Sequence, residues 1–298
     1  MIGLVIAMFS GSFNCLSSIF VRKGMYHSGE SFSPLPISNF AGTMFFGLGM
    51  LILDQTNQLV SLSWLGFGSL AAAGVLHFIV GRLLGYTGIR LLGANRANPI
   101  TTSNILVSAL LGIVFLGESV TIYLVLAIIL IFGGIILINK RVDSDKQNIS
   151  RGDLTKGLLA TLGGALCWGS SPALVKIGLQ EVSSPVVATF ISYAAAFMVV
   201  GLLLSYRGNR EKLRRLKRDA LIPLGMSSVS VSAAHLLRYT AIYYSPISLV
   251  QVLAMSVNGL LVFPLSFLMN RKIEAFNLRI IGGAVIVITG VLLIFLTA

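Results

Sequence analysis

The chain carries one pattern twice. Gly85–Arg90 reads GYTGIR and Arg238–Tyr243 reads RYTAIY, which sets Tyr86 and Tyr239 153 positions apart. The same offset carries Lys23 onto Lys176 and Arg82 onto His235, and an offset of 156 carries Glu118 onto Glu274 and Gly134 onto Gly290. Long apolar blocks flank each marker. Such a duplication restricts the chain to two equivalent units that meet at a seam.

Charge excludes a soluble fold. Only 11% of the 298 residues are charged, 55% are apolar and the mean hydropathy is +0.89. A soluble domain needs about 25% charged residues to face water all round. Ten apolar blocks stand at 2–21, 35–53, 64–89, 97–116, 120–139, 154–176, 185–206, 220–242, 247–269 and 276–296. A helix crosses a bilayer in about 20 apolar residues and satisfies its own backbone, so each block reads as a transmembrane helix. The N-terminal block has no basic residue ahead of it, which is not the charge order of a cleaved signal, and it reads as a permanent span.

The expected fold is therefore an all-α membrane protein of ten transmembrane helices, arranged as two five-helix repeats. Residues 1–139 form the first repeat, 140–153 the polar joint and 154–298 the second. Five is odd, so the second repeat enters the membrane inverted. Nineteen of the 22 Lys and Arg lie in loops after odd-numbered blocks, and Lys176 alone follows an even one. Positive loops stay cytoplasmic, which places both termini outside. The net charge of +12 thus reads as topology rather than nucleic-acid binding, and the basic run 207–218 as its strongest signal, with anionic lipid headgroups as the alternative partner. Cys15 and Cys167 lie inside apolar blocks and read as small buried hydrophobes.

Asp and Glu fall in loops or at block ends, so none offers the mid-membrane carboxylate on which cation exchange commonly relies. Basic and neutral polar groups do lie within blocks. His77 and Arg82 are in the third, and His235, Arg238 and Tyr239 in the eighth. An ionisable group in lipid costs about 2.5–3.5 kcal/mol, so it turns to a cavity or a partner. One reading is a mildly positive cavity for a carboxylate- or phosphate-bearing solute. The other is arginines snorkelling to headgroups and histidines bonded in the interior. Asn98 and Asn104 of block four and Gln251 and Asn258 of block nine offer amides either to a solute or to neighbouring helices. Trp168 opens a small-residue stretch in block six and reads as a cavity wall or an interfacial anchor. The pairs Gly133-Gly134 and Gly282-Gly283 read as packing notches. His27, His77 and His235 form no cluster with carboxylates, so no enzyme, metal or cofactor is expected.

These residues resemble the drug/metabolite transporter superfamily, specifically its ten-span members with two EamA repeats. Trp168-Gly169-Ser170-Ser171 looks like that family's W-G-s motif. Gly88-Ile89-Arg90 and Ala241-Ile242-Tyr243-Tyr244 look like its A-L-x-Y segment, and Leu116-Gly117-Glu118 like its l-G-E motif. The resemblance implies a ten-helix bundle around a cavity lined by spans 1, 3, 4, 6, 8 and 9, worked by alternating access. Spans 5 and 10 would be peripheral or dimer-forming, leaving monomer and homodimer open, and Glu118 and Glu274 would be structural. Members move amino acids, nucleosides, sugars or phosphorylated metabolites. Three departures stand out. The first repeat opens without a Trp, the proline usual in mid-span 4 is missing near Asn104, and family termini are cytoplasmic where the loop charge puts them outside.

The expected function is secondary transport of a small polar metabolite across the plasma membrane, with a lipid or lipid-linked-sugar flippase as the alternative. The candidate substrate-binding residues are Arg82, His77, Asn98, Asn104, Trp168, His235, Arg238, Tyr239, Gln251 and Asn258.

Overall fold

The computed structural model describes residues 1–28, 32–92, 97, 100–119, 121–139, 150–269 and 278–295. Among them there is no strand. The main helices are α1 Ile2–Ser28, α2 Pro34–Ile52, α3 Trp64–Leu92, α4 Asn104–Leu116, α5 Ile122–Asn139, α6 Arg151–Leu179, α7 Pro185–Ser205, α8 Arg218–Tyr244, α9 Ile247–Met269 and α10 Leu278–Phe295. Short surface helices at Asn57–Val60 and Arg207–Arg214 join neighbours. Six helices, α1, α2, α3, α6, α7 and α8, are long and apolar enough to cross a membrane. Shorter apolar stretches lie at Ile100–Leu116, Ile122–Leu137 and Ile247–Leu261. The chain is a multi-pass membrane protein.

Local chemistry sets the helix ends. Pro34 and Pro185 stand in the first turns of α2 and α7, where a missing N–H has no intrahelical partner to lose. The Ser63, Ser150 and Ser184 hydroxyls accept from the N–H groups of Gly66, Asp153 and Val187, capping α3, α6 and α7. α4 ends on Gly117 at φ 66°, a left-handed conformation that costs glycine nothing, and the Glu118 N–H then reaches back to the Gly112 carbonyl at 3.0 Å.

Packing repeats the duplication. α1 packs on α8 and α9, as α6 packs on α3 and α4. α2 packs on α8, as α7 packs on α3; α2 also meets α7, α4 meets α9 and α5 meets α10. Exchanging each helix for the one five places on maps this set of contacts onto itself. In lipid, helices gain little from burying apolar surface and associate through close contact of small residues. Gly74 of α3 lies directly on the Ser192 backbone of α7, and Gly164 of α6 packs against the Gly81–Gly85 backbone of α3. Of the four glycines read as notches, Gly134 meets Gly283, whereas Gly133 and Gly282 face open space. Outward-facing Leu202, Val229 and Leu48 are largely exposed and supply lipid-facing surface, and Trp64 stands at the start of α3 where an interfacial anchor belongs.

Candidate functional site

A cavity of about 490 Å³ lies at the seam. Its walls come from α1, α3, α4, α6, α8 and α9, with Pro34 and Ser38 added by α2. The lining is one-sided along the bundle. It starts at mid-helix with His77, Trp168 and His235 and runs to Arg22, Met25, Arg90, Thr101 and Leu224, all at the end that carries the basic loops.

At the opposite end different residues link the helices. Lys176, in the last turn of α6, donates to the carbonyls of Ile242 at 2.7 Å and Tyr243 at 3.4 Å, at the end of α8. The Glu118 carboxylate accepts from the N–H groups of Ile247 at 2.5 Å and Ser248 at 3.1 Å, at the start of α9. Both side chains border a smaller depression of about 310 Å³. Glu118 thus holds a helix N-terminus, where a carboxylate meets unpaired N–H groups and the positive end of the dipole. Glu274 lies outside the described residues.

The large cavity is basic. Arg22, Arg82, Arg90, Arg238, His77 and His235 line it, and among the described residues no Asp or Glu does. Arg82 is 9% exposed, donates to Ser38 Oγ at 2.8 Å, and its guanidinium carbon lies 5.5 Å from the Phe78 ring centre. Arg238 is 6% exposed and leans on Gln251 Oε1 at 3.4 Å. Neutral groups thus hold both guanidiniums, and none of them cancels the charge. Two unit charges 4 Å apart at an effective dielectric of 20 attract by about 4 kcal/mol, so an anion drawn between these arginines gains what their burial lacks.

The two histidines meet at the centre. His77 belongs to a π-helical turn, Leu76–Val80, that interrupts α3. Its Nε2 lies 3.3 Å from His235 Nε2 on α8. Behind it, His77 Nδ1 meets Ser171 Oγ at 2.6 Å, and the Trp168 indole N–H donates to the His77 carbonyl at 3.1 Å. His235 Nδ1 meets the Val231 carbonyl at 2.6 Å and the Tyr193 hydroxyl at 3.2 Å. Nearer the basic end, α1 and α8 are stitched by reciprocal bonds: each of Ser17 and Ser227 donates to the other's carbonyl at 3.1 Å.

The structure brings seven sequence candidates into one cavity: His77, Arg82, Asn104, Trp168, His235, Arg238 and Asn258. Asn104 and Asn258 each carry a buried side-chain oxygen with no hydrogen-bond partner among the described residues. Tyr239 and Gln251 stand behind the wall. The Tyr239 hydroxyl donates to Ser192 Oγ at 2.9 Å and Gln251 supports Arg238. Asn98 lies outside the described residues. Sequence reasoning missed Asn14, Ser17, Ser38, Ser227 and Ser228, which line the cavity. A lone serine or asparagine in a span has no signature separating cavity from helix contact; only its register with Arg82 or His235 could have flagged it.

No curated protein matches the sequence. A solved structure described as "Crystal structure of protein" shares the fold at a TM-score of 0.77 and 11% identity, over 99% of this chain and 98% of its own. A family model described as the EamA-like transporter family matches residues 1–140 and again 155–296.

Proposed function

This chain belongs to the EamA-like transporter family, and from that premise we propose that it is a secondary transporter of a small polar metabolite bearing a carboxylate, phosphate or similar anionic group. The observation that carries the reading is the composition of the cavity: six basic or imidazole side chains and, among the described residues, no carboxylate. A solute with hydroxyl or amine donors suits the amides of Asn104 and Asn258 in the same lining. An anion with such donors, whether an amino acid, a hydroxy acid or a phosphorylated metabolite, complements both kinds of group at once.

In this reading the ten helices are ten spans, two inverted repeats over 1–139 and 154–298, in the plasma membrane. The wall exposes the site at the basic-loop end while Lys176 and Glu118 close the other. Alternating access rocks α1, α8 and α9 against α3, α4 and α6, so that the tie at Lys176 opens as the basic end closes. The loop charge puts the open end in the cytoplasm. The substrate-contacting residues are then Arg82, Arg238, His77, His235, Asn104 and Asn258, with Trp168 as a wall.

A thermal-shift screen of the purified protein tests the reading. Ligand binding to the folded state raises the melting midpoint, by about 2.7 kcal/mol of stabilisation at 100-fold excess over Kd. Anionic amino acids, hydroxy acids and sugar phosphates should stabilise, and nucleosides and neutral sugars should not. Stabilisation by lipid headgroup analogues alone contradicts the reading and promotes the flippase.

A further inference from the structure

We propose that the His77–His235 pair is a one-proton site, through which the cavity takes up one proton together with its anion. The inference rests on the anionic reading above and adds the coupling ion to it.

The hydrogen bonds fix where the protons stand. The Val231 carbonyl can only accept, so His235 Nδ1, 2.6 Å away, carries a hydrogen. The Tyr193 oxygen, 3.2 Å from the same nitrogen, shares that N–H. A neutral His235 then offers a bare lone pair at Nε2. His77 Nε2, 3.3 Å away, must be the donor. That leaves His77 Nδ1 as an acceptor, and the Ser171 hydroxyl fills it at 2.6 Å. All four ring nitrogens are satisfied with both rings neutral.

One more proton has a place. A hydronium ion entering the cavity gives its proton to His77 Nδ1, forming an N–H bond and leaving water. The new N–H donates to Ser171 Oγ, and the Ser171 hydroxyl turns to the Trp168 carbonyl, which it reaches at 3.4 Å. No heavy atom moves. A second proton has no place, because it would aim two N–H groups at each other across 3.3 Å. The site therefore holds one.

The surrounding charges make this proton conditional on the anion. Facing the pair are Arg82 from α3, Arg238 from α8, Tyr193 from α7, and Trp168 and Ser171 from α6, with Ser38 of α2 on Arg82. Among the described residues no carboxylate lines the cavity. Two guanidiniums oppose a third positive charge while the cavity is empty. An anion between them reverses the balance. Binding couplings are reciprocal, so the anion binds more tightly as pH falls. The π-helical turn that presents His77 is a feature often found at functional sites.

Full-length protein in lipid nanodiscs provides the test. The sequence has only three histidines, so nitrogen-15 histidine labelling resolves the pair. The spectra should show His77 as the Nε2–H tautomer and His235 as the Nδ1–H tautomer, with acid adding one proton to the pair. Reversed tautomers, or two rings that titrate independently, overturn the proposal. Calorimetry with L-glutamate, gluconate, sulfate and glycerol 3-phosphate, in buffers of different ionisation heat, then counts protons taken up per anion bound. Glycerol 3-phosphate is corrected for its own ionisation near about pH 6. Wherever one of these binds with uptake of one proton, affinity should rise about tenfold for each unit by which pH is lowered. Whatever anion binding His77→Gln retains should carry no proton uptake and no pH dependence. Binding by the wild type without proton uptake overturns the coupling and leaves the anionic reading standing. Binding by none of the four overturns the anionic reading and the coupling with it.

Discussion

Lys176 Nζ donates to the carbonyl of Ile242 at 2.7 Å, tying the last turn of α6 to the last turn of α8 at the end of the bundle opposite the cavity. Carbonyls at a helix C-terminus lack intrahelical partners and carry the negative end of the dipole, so a lysine is well placed there. α6 and α8 belong to one repeat but pack in different groups, α6 against α3 and α4 and α8 against α1. The tie therefore has to break when these two groups move apart at this end.

Removing it should favour opening. A hydrogen bond to a charged group contributes about 1.5–3 kcal/mol, which corresponds to about tenfold or more in a two-state population. Ser245 is buried at this end, beside Gly3 of α1. With Cys15 and Cys167 replaced by Ala, a Ser245→Cys reporter should react with a water-soluble maleimide about tenfold faster when Lys176→Met is added. Equal rates show that the contact closes nothing.

Glu118 is expected to stabilise rather than to bind solute. Glu118→Gln halves the acceptors offered to the Ile247 and Ser248 N–H groups and sets an NH₂ against them. Loss of a helix N-cap costs about 1 kcal/mol. The melting midpoint should fall, while the affinity for any anion bound in the central cavity stays unchanged.

Close approach of α3 and α7 depends on Gly74. A methyl there would run into the backbone of Ser192, which cannot swing aside, whereas one at Gly68 would meet nothing within 4 Å. Overpacking costs about 1–3 kcal/mol. Gly74→Ala should lower the melting midpoint clearly, and Gly68→Ala should leave it in place. A thermal melt of both variants in the same detergent checks the contrast.

Arg82 should matter to the solute and little to the fold. Arg82→Ala removes a charge held by neutral groups, among them Ser38 and the Phe78 ring. Losing a charge-assisted bond to an anion costs about 1.5–3 kcal/mol, or about ten- to a hundredfold in affinity. Arg82→Lys should recover part of it, because a lysine keeps the charge and gives up the planar fork. Calorimetry on the three proteins measures the order.

The duplication was readable because a repeat offset is a property of the whole chain. Tyr86 with Tyr239 and Lys23 with Lys176 align whatever each residue does. Arg82, His77, His235 and Arg238 were readable because ionisable groups in spans are expensive and seek company. Tyr239 and Gln251 looked equivalent to them by composition and position. The side of the helix they occupy places them behind the wall, on Ser192 and Arg238. Ser17 and Ser227 went unread because their bonds run between α1 and α8, and the apolar pattern of one span carries no record of its neighbour's register. The π-helical turn at Leu76–Val80, which sets the bearing of His77, has no sequence signature of its own.

The most direct measurement is uptake of radiolabelled solutes into proteoliposomes containing the purified protein. L-Glutamate, gluconate and glycerol 3-phosphate should be compared with lysine, choline and uridine. The account predicts saturable uptake of at least one anion, no uptake of the cations or uridine, and loss of the signal in Arg82→Ala. Saturable uptake of a cation or of uridine that survives Arg82→Ala would contradict it.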